Sequence, residues 1–168
     1  ESFSTYNTFS GFNTAIEANT TGSQYAIQID QSKFSNVATA IRINGNNFTT
    51  ITRDSIDITQ SAGNNPFRTG IYLNNCTGYL VEQNHIKGGK QQMTGSTVGI
   101  IVNNSGNANN KLYRNAFNTL NFCVTVRGNN GDSLQGLIVA CADFTNVNNN
   151  IFLANNATMK STENETIN

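Results

Sequence analysis

An aromatic or aliphatic residue recurs along the chain at Phe9, Phe34, Ile56, Ile86, Phe117 and Phe144, at intervals of 22 to 31 residues. The surroundings of these anchors recur with them. Two positions earlier stands a small polar residue in five of the six repeats, Asn7, Ser32, Asp54, Asn84 and Asn115, with Ala142 as the exception. Five positions earlier an aliphatic residue recurs at Ile29, Ile51, Val81, Leu112 and Val139. Downstream, AIEA, AIRI, GIYL, GIIV, CVTV and NIFL each place apolar residues two apart. Alternation of period two is the pattern of a half-buried strand. A unit of this size with short strands and Asn/Gly turns cannot bury its own apolar face, so it must stack on its neighbours. The fold expected is therefore all-β: a right-handed parallel β-helix, or solenoid, of about six coils of 22–31 residues over residues 1–153. The polar stretch 154–168 is either a C-terminal tail or the start of further coils.

Stacking gives the recurring polar residues a structural task. An Asn at a bend tolerates left-handed backbone geometry, and its side chain can hydrogen-bond to the same position one coil away. The ladder of Asn7, Ser32, Asp54, Asn84 and Asn115 is read in this way. Phe9 on Phe34, and Phe117 on Phe144, are expected to stack in the core.

Composition narrows the partners. Lys+Arg and Asp+Glu are both 10, and only 12% of residues are charged, so there is no electrostatic footprint for nucleic acid or an anionic membrane. No apolar run approaches the ~20 residues needed to span a bilayer. The start, ESFSTYNTF, lacks the basic and apolar blocks of a signal peptide, which suggests a mature protein or a piece of a larger one. Cys76, Cys123 and Cys141 lack metal-ligand spacing and are odd in number. They are expected to be small buried apolar residues, with a Cys123–Cys141 pair left open.

The repeat, as it stands in NTFSGFNTAIEAN, NHIKGG and NAFNTLNFCVTV, resembles pectate-lyase-like right-handed β-helix proteins. More narrowly, GIYLNNCTGYLVEQN, GIIVNNSGNANNKLYRNAF and GLIVACADF resemble secreted surface proteins of Bacteroidetes-type bacteria exported by the type IX pathway. The resemblance implies an extracellular setting, and its coils are shared by enzymes, adhesins and passive stalks.

Candidate chemistry is sparse. His85, the only histidine, has no nucleophile or carboxylate pattern around it and is read as a solvated surface residue. A lyase or hydrolase would need carboxylates clustered around Ca²⁺ or placed as acid and base. Asp30 and Glu82 share one outward column with Thr52 between them, nearly 10 Å apart at about 4.8 Å per coil, and are the only catalytic alternative. No metal or cofactor is expected otherwise. An ice-binding array is not supported, because Thr50 and Thr52 face Leu80 and Glu82 on the next coil. Sequons such as NTT and NFT are expected by chance in a chain this rich in Asn and Thr.

Loop length says more. Four coils use seven residues between anchor and downstream strand, whereas Ile56 to Ile71 takes fifteen and Ile86 to Ile100 fourteen. These insertions, TQSAGNNPFRT and KGGKQQMTGST, fall on neighbouring coils, and solenoid insertions tend to gather on a binding face. Side by side they would bring Phe67, Arg68, Lys87, Lys90, Gln91, Gln92 and Met93 near the outward Tyr72, a set suited to a sugar chain or an anionic glycan. Two tolerated insertions without function are the plain alternative. The outward column Glu17, Arg42, Tyr72, Ile101, Thr125 and Phe152 carries an apolar row that a loop or a partner should cover. The function expected is structural or adhesive, with polysaccharide or another surface protein as partner.

Overall fold

The computed structural model describes residues 6–23, 25–61, 65–89, 96–132, 134–163 and 166–167. Within them the chain winds through three parallel sheets in a repeating order. Sheet A is formed by Asn7–Ser10, Ser32–Ser35, Ser55–Asp57, His85–Lys87, Ala116–Asn118, Asp143–Thr145 and Thr166–Ile167. Sheet B is formed by Thr14–Ser23, Thr39–Asn46, Phe67–Asn74, Ser96–Asn103, Phe122–Arg127 and Asn149–Leu153. Sheet C is formed by Gln28–Asp30, Thr50–Thr52, Leu80–Glu82, Asn110–Tyr113, Leu137–Ala140 and Ser161–Glu163. No helix occurs among the described residues. This is a β-solenoid of about five turns, one fewer than the number of anchors, because six anchors from Phe9 to Phe144 enclose five intervals.

The anchors pair in the expected register: Phe9 with Phe34, Phe34 with Ile56, Ile56 with Ile86, Ile86 with Phe117 and Phe117 with Phe144. The column continues to Ile167. The aliphatic column Ile29, Ile51, Val81, Leu112 and Val139 is likewise in register in sheet C. Facing columns from three sheets fill one continuous core, and a coil contacts chiefly the coils above and below it, as in other solenoids. Phe9 lies on Phe34 with ring centroids 5.0 Å apart, and Phe117 on Phe144 at 5.5 Å, both nearly coplanar.

The polar ladder runs inside the bend between sheets C and A. Asn115 Oδ1 accepts the backbone N–H of Asn84 (3.1 Å), Asn84 Oδ1 that of Asp54 (2.9 Å), and Asp54 Oδ1 that of Ser32 (2.7 Å). Each amide then donates across the coil, Asn84 Nδ2 to Ile51 O and Asn115 Nδ2 to Val81 O, both at 2.9 Å. From Ser32 to Asn115 the ladder residues are buried, so these bonds satisfy backbone groups that water cannot reach, whereas Asn7, expected in the same ladder, is exposed.

The left-handed geometry falls elsewhere than expected. It belongs to the residue before each ladder position, Gln31, Arg53, Gln83, Arg114 and Cys141, with φ between 50° and 57°. Such a conformation is uncommon outside Gly and Asn. Here the backbone is held by coil-to-coil bonds, Gln31 N to Thr52 O, Arg53 N to Glu82 O, Gln83 N to Tyr113 O and Arg114 N to Ala140 O, so the side chain is not required to favour the turn. At the far end of sheet B the sequence-level idea does hold. Asn103 donates to Asn74 and Asn74 to Asn44, both at 2.6 Å, and the residues that follow, Gly45, Asn75 and Asn104, are left-handed.

Alternation fails at one place in sheet B. Ala40 and Ile41, Gly70 and Ile71, Gly99 and Ile100, and Cys123 and Val124 are consecutive buried pairs, and the first of each pair is skipped in the ladder register. Gly99 has a steric reason: a Cβ there would lie 2.7 Å from the Phe117 ring and 2.6 Å from Cys123 O. The three cysteines are free. Cys76 and Cys123 are buried, and desolvation raises both thiol pKa values, Cys123 to about 12; Cys141 is half-exposed at its bend.

Asp54 is the anomaly of the ladder. It is 2% exposed and its Oδ2 has no partner, at the place where Asn84 and Asn115 present an N–H to a carbonyl. Desolvation pushes its pKa up to about 6, against the pull of the Ser32 N–H and with a further push from the Asp30 charge. Below about pH 6 a protonated Oδ2 supplies the donor that an Asn would have.

Two outcomes follow from this core. Phe117→Ala should lower the unfolding free energy by about 3–5 kcal/mol in urea titration, and near-neutral behaviour would refute the assigned register. Because the folded pKa of Asp54 is raised, its contribution is full below the ordinary carboxylate pKa and is lost as pH rises through about 6. The difference in stability between Asp54→Asn and the parent should therefore grow in favour of the variant from about pH 4 to pH 6 and then level off, by up to about 3 kcal/mol for a two-unit shift. A difference independent of pH would refute the protonated ladder.

Candidate functional site

The broken alternation in sheet B creates two outward columns where strict alternation reads one. The expected column is present in register: Glu17, Arg42, Tyr72, Ile101, Thr125 and Phe152. Beside it, three residues earlier on each strand, run Thr14, Thr39, Thr69, Val98, Phe122 and Asn149. Together they bring Tyr72, Val98, Ile101, Phe122 and Phe152 onto one outer face.

This apolar group is packed against itself. Val98 and Ile101 are only 7% and 6% exposed although neither belongs to the core cluster. Phe122 and Phe152 meet at 5.3 Å with planes tilted by 56°. Ser96, Val98, Phe122, Thr125, Arg127 and Phe152 line a shallow depression of about 110 Å³. The Arg42 guanidinium lies 5.4 Å from the Tyr72 ring centroid. The expected apolar row is thus covered in part by its own neighbours, with Phe152 still exposed at its end. Phe122 and Val98 were missed by strict alternation, which turns them inward. The signal that could have found them is the pair of glycines, Gly70 and Gly99, in consecutive strands, since glycine in a strand often marks a close backbone approach.

The described insertion residues Phe67, Arg68 and Lys87 are placed apart from Tyr72. Phe67, 64% exposed, starts its strand and pairs with Ser96; the strand begins earlier than the loop boundary read from sequence, which placed Phe67–Thr69 in the insertion. Tyr72 lies five residues further along, roughly 17 Å at strand rise. Arg68 is buried, only 4% exposed. Lys87 lies on sheet A, in register with Asp57, and helps line a groove of about 280 Å³ with Ser35, Asn36, Asp57, Thr59 and Gln60. Lys90, Gln91, Gln92 and Met93 lie outside the described residues. His85 is exposed on sheet A between Ser55 and Ala116.

On sheet C, Asp30, Thr52, Glu82 and Tyr113 form one column, as the spacing predicts. Asp30 is committed there. Arg53 Nε donates to its Oδ1 at 2.9 Å, Arg53 Nη2 to its Oδ2, and Thr52 Oγ1 to its Oδ1 at 2.8 Å. The Arg53 guanidinium, and then the Thr52 hydroxyl, hold its carboxyl below the usual carboxylate range. Such a group is a poor proton donor at neutral pH. Tyr113 is flanked by Lys111 Nζ at 4.4 Å and the Arg114 guanidinium at 4.8 Å from its ring centroid. Among the described residues no group of three or more His, Cys, Asp or Glu side chains is placed to hold a metal ion, and no helix is long and apolar enough to cross a membrane.

Comparison with known proteins yields no relative: no family model, no curated protein and no solved structure matches this chain.

Proposed function

We propose that this chain is a rigid, extracellular β-solenoid segment of a bacterial surface or secreted protein, adhesive in role, that binds polysaccharide through the outer face of sheet B. The observation that carries the reading is the face itself. Tyr72, Ile101, Phe122 and Phe152 sit on a rigid ladder beside Arg42 and Arg127, and an aromatic surface rimmed by polar groups suits the apolar faces and hydroxyls of sugar rings. The resemblance to pectate-lyase-like coils, and to secreted proteins of Bacteroidetes-type bacteria, supports the setting.

The alternative, a polysaccharide lyase or glycoside hydrolase acting through Asp30 and Glu82, with Ca²⁺ in the lyase case, has less behind it. Two coil spacings, with Thr52 between, separate these carboxylates, and Asp30 is tied to Arg53 and Thr52. A lyase of this kind would also need a base and a carboxylate cluster, and the acidic side chains are dispersed.

A glycan-array screen with the whole chain, with and without Ca²⁺ and followed by analysis for released product, tests both readings. Binding without product is expected, and Tyr72→Ala and Phe152→Ala should each weaken it by up to about tenfold, the equivalent of the ~0.5–1.5 kcal/mol that an aromatic contact contributes. Binding untouched by both substitutions would overturn the sheet B assignment, and product release abolished by Asp30→Asn or Glu82→Gln would establish the enzyme reading.

A further inference from the structure

Arg68 stands where the first insertion re-enters sheet B, paired with Thr97 on the next coil. It is 4% exposed, and one nitrogen, Nη1, donates to Thr59 O. The other two, Nε and Nη2, have no partner. A guanidinium cannot shed its charge in a protein, so this is a buried cation with at least three of its five N–H donors unmet. Desolvation lowers its pKa, and the charge of Asp57 opposes that shift, but no salt bridge joins the two. An uncompensated charge of this kind is costly and calls for an anionic or hydrogen-bonding complement.

The chain itself displays the complement that this fork accepts. On Arg53 the same two nitrogens, Nε and Nη2, grip the Asp30 carboxylate side by side. Arg68 presents the identical fork empty. Neither insertion can fill it with a carboxylate from its own sequence, because residues 58–66 and 88–95 contain no Asp or Glu. The fork itself is shut off from solvent, and its link to the surface runs through Thr59. Thr59, whose carbonyl holds Nη1, also lines the groove of about 280 Å³ formed with Ser35, Asn36, Asp57, Gln60 and Lys87. Lys87 places a cation in that groove, in register with Asp57.

We propose that the Arg68 Nε–Nη2 fork is a carboxylate-binding site, reached from the groove beside the first insertion, with Lys87 as the attracting charge at its mouth. A planar carboxylate matches the fork bidentately, as no neutral ligand does. The site is separate from the outer face of sheet B and does not depend on it. Its carboxylate can come from a small free acid or from a sugar acid.

The test is ¹⁵N NMR of the arginine Nε–H groups of the whole chain, with Arg68 assigned through Arg68→Lys. Sodium acetate, sodium glucuronate, glucose and sodium chloride are titrated at constant ionic strength. Saturable displacement of the Arg68 Nε–H signal by acetate and glucuronate, absent with glucose and chloride, is expected. Lys87→Gln, an exposed substitution that keeps the fold, should weaken both titrations several-fold. A response to glucuronate alone assigns the site to sugar acids, and equal response to both assigns it to carboxylates generally. No displacement by either acid, or an equal one by chloride, overturns the proposal. Arg68→Gln adds a second reading: in a chain that still gives the parent's circular dichroism, the two acids should no longer raise the melting temperature, and an unchanged increase would also overturn it.

Discussion

The in-register parallel bond between one coil and the next is the constraint on which the rest of this molecule depends. Once Phe34 must lie over Phe9 and Ile56 over Phe34, every other position is stacked by the same operation, and one coil's choice of residue is judged by its two neighbours. The buried ladder at the corner between sheets C and A is the polar form of that rule. The Asp54, Asn84 and Asn115 side chains each accept a backbone N–H of the preceding coil, so corners, where backbone groups would otherwise be left unpaired inside the protein, become part of the bonding. The cost is a strict chemical requirement for a donor and an acceptor at one point, and Asp54 meets the donor half only when it holds a proton, below about pH 6.

The architecture was legible because solenoid repeats put the same physical demand on residues a coil apart. Anchors, aliphatic column, aromatic stacks and the outward series from Glu17 to Phe152 all have the expected register. The reading lost accuracy where a residue's side depended on a neighbour in a different sheet. Gly70 and Gly99 lie inward where the anchor side chains Ile86 and Phe117 crowd the space a Cβ would fill, and no period counted along one strand contains that information. The same displacement turns Val98 and Phe122 outward. It also turns Arg68 inward: Phe67, Arg68 and Thr69 run exposed, buried and half-buried ahead of the buried pair Gly70 and Ile71. Left-handed geometry was assigned to the ladder Asn on intrinsic preference, whereas coil-to-coil bonds put it on Gln31, Arg53, Gln83 and Arg114.

The surfaces divide the chemistry by sheet. Sheet B offers a broad apolar face, sheet C a row in which charge is already neutralised at Asp30 and Arg53, and the corner beneath the first insertion an arginine whose fork is unfilled. Rigid stacking keeps these three apart, so a change at one has no packed route to the others except through the shared core.

The left-handed corner has a consequence for how such a chain can diversify. Its backbone is fixed by bonds that no side chain contributes, and glutamine, arginine and cysteine all occupy it. Gln31, Arg53, Gln83, Arg114 and Cys141 therefore form a row whose side chains the corner itself does not dictate, spaced by one strand separation, about 4.8 Å, although Arg53 is engaged with Asp30 and Arg114 with the Tyr113 ring. Mutation can rewrite that row, residue by residue, while the scaffold stays as it is. A lineage built on this fold carries a blank margin along its edge, on which new charge patterns can be tried without risking the core.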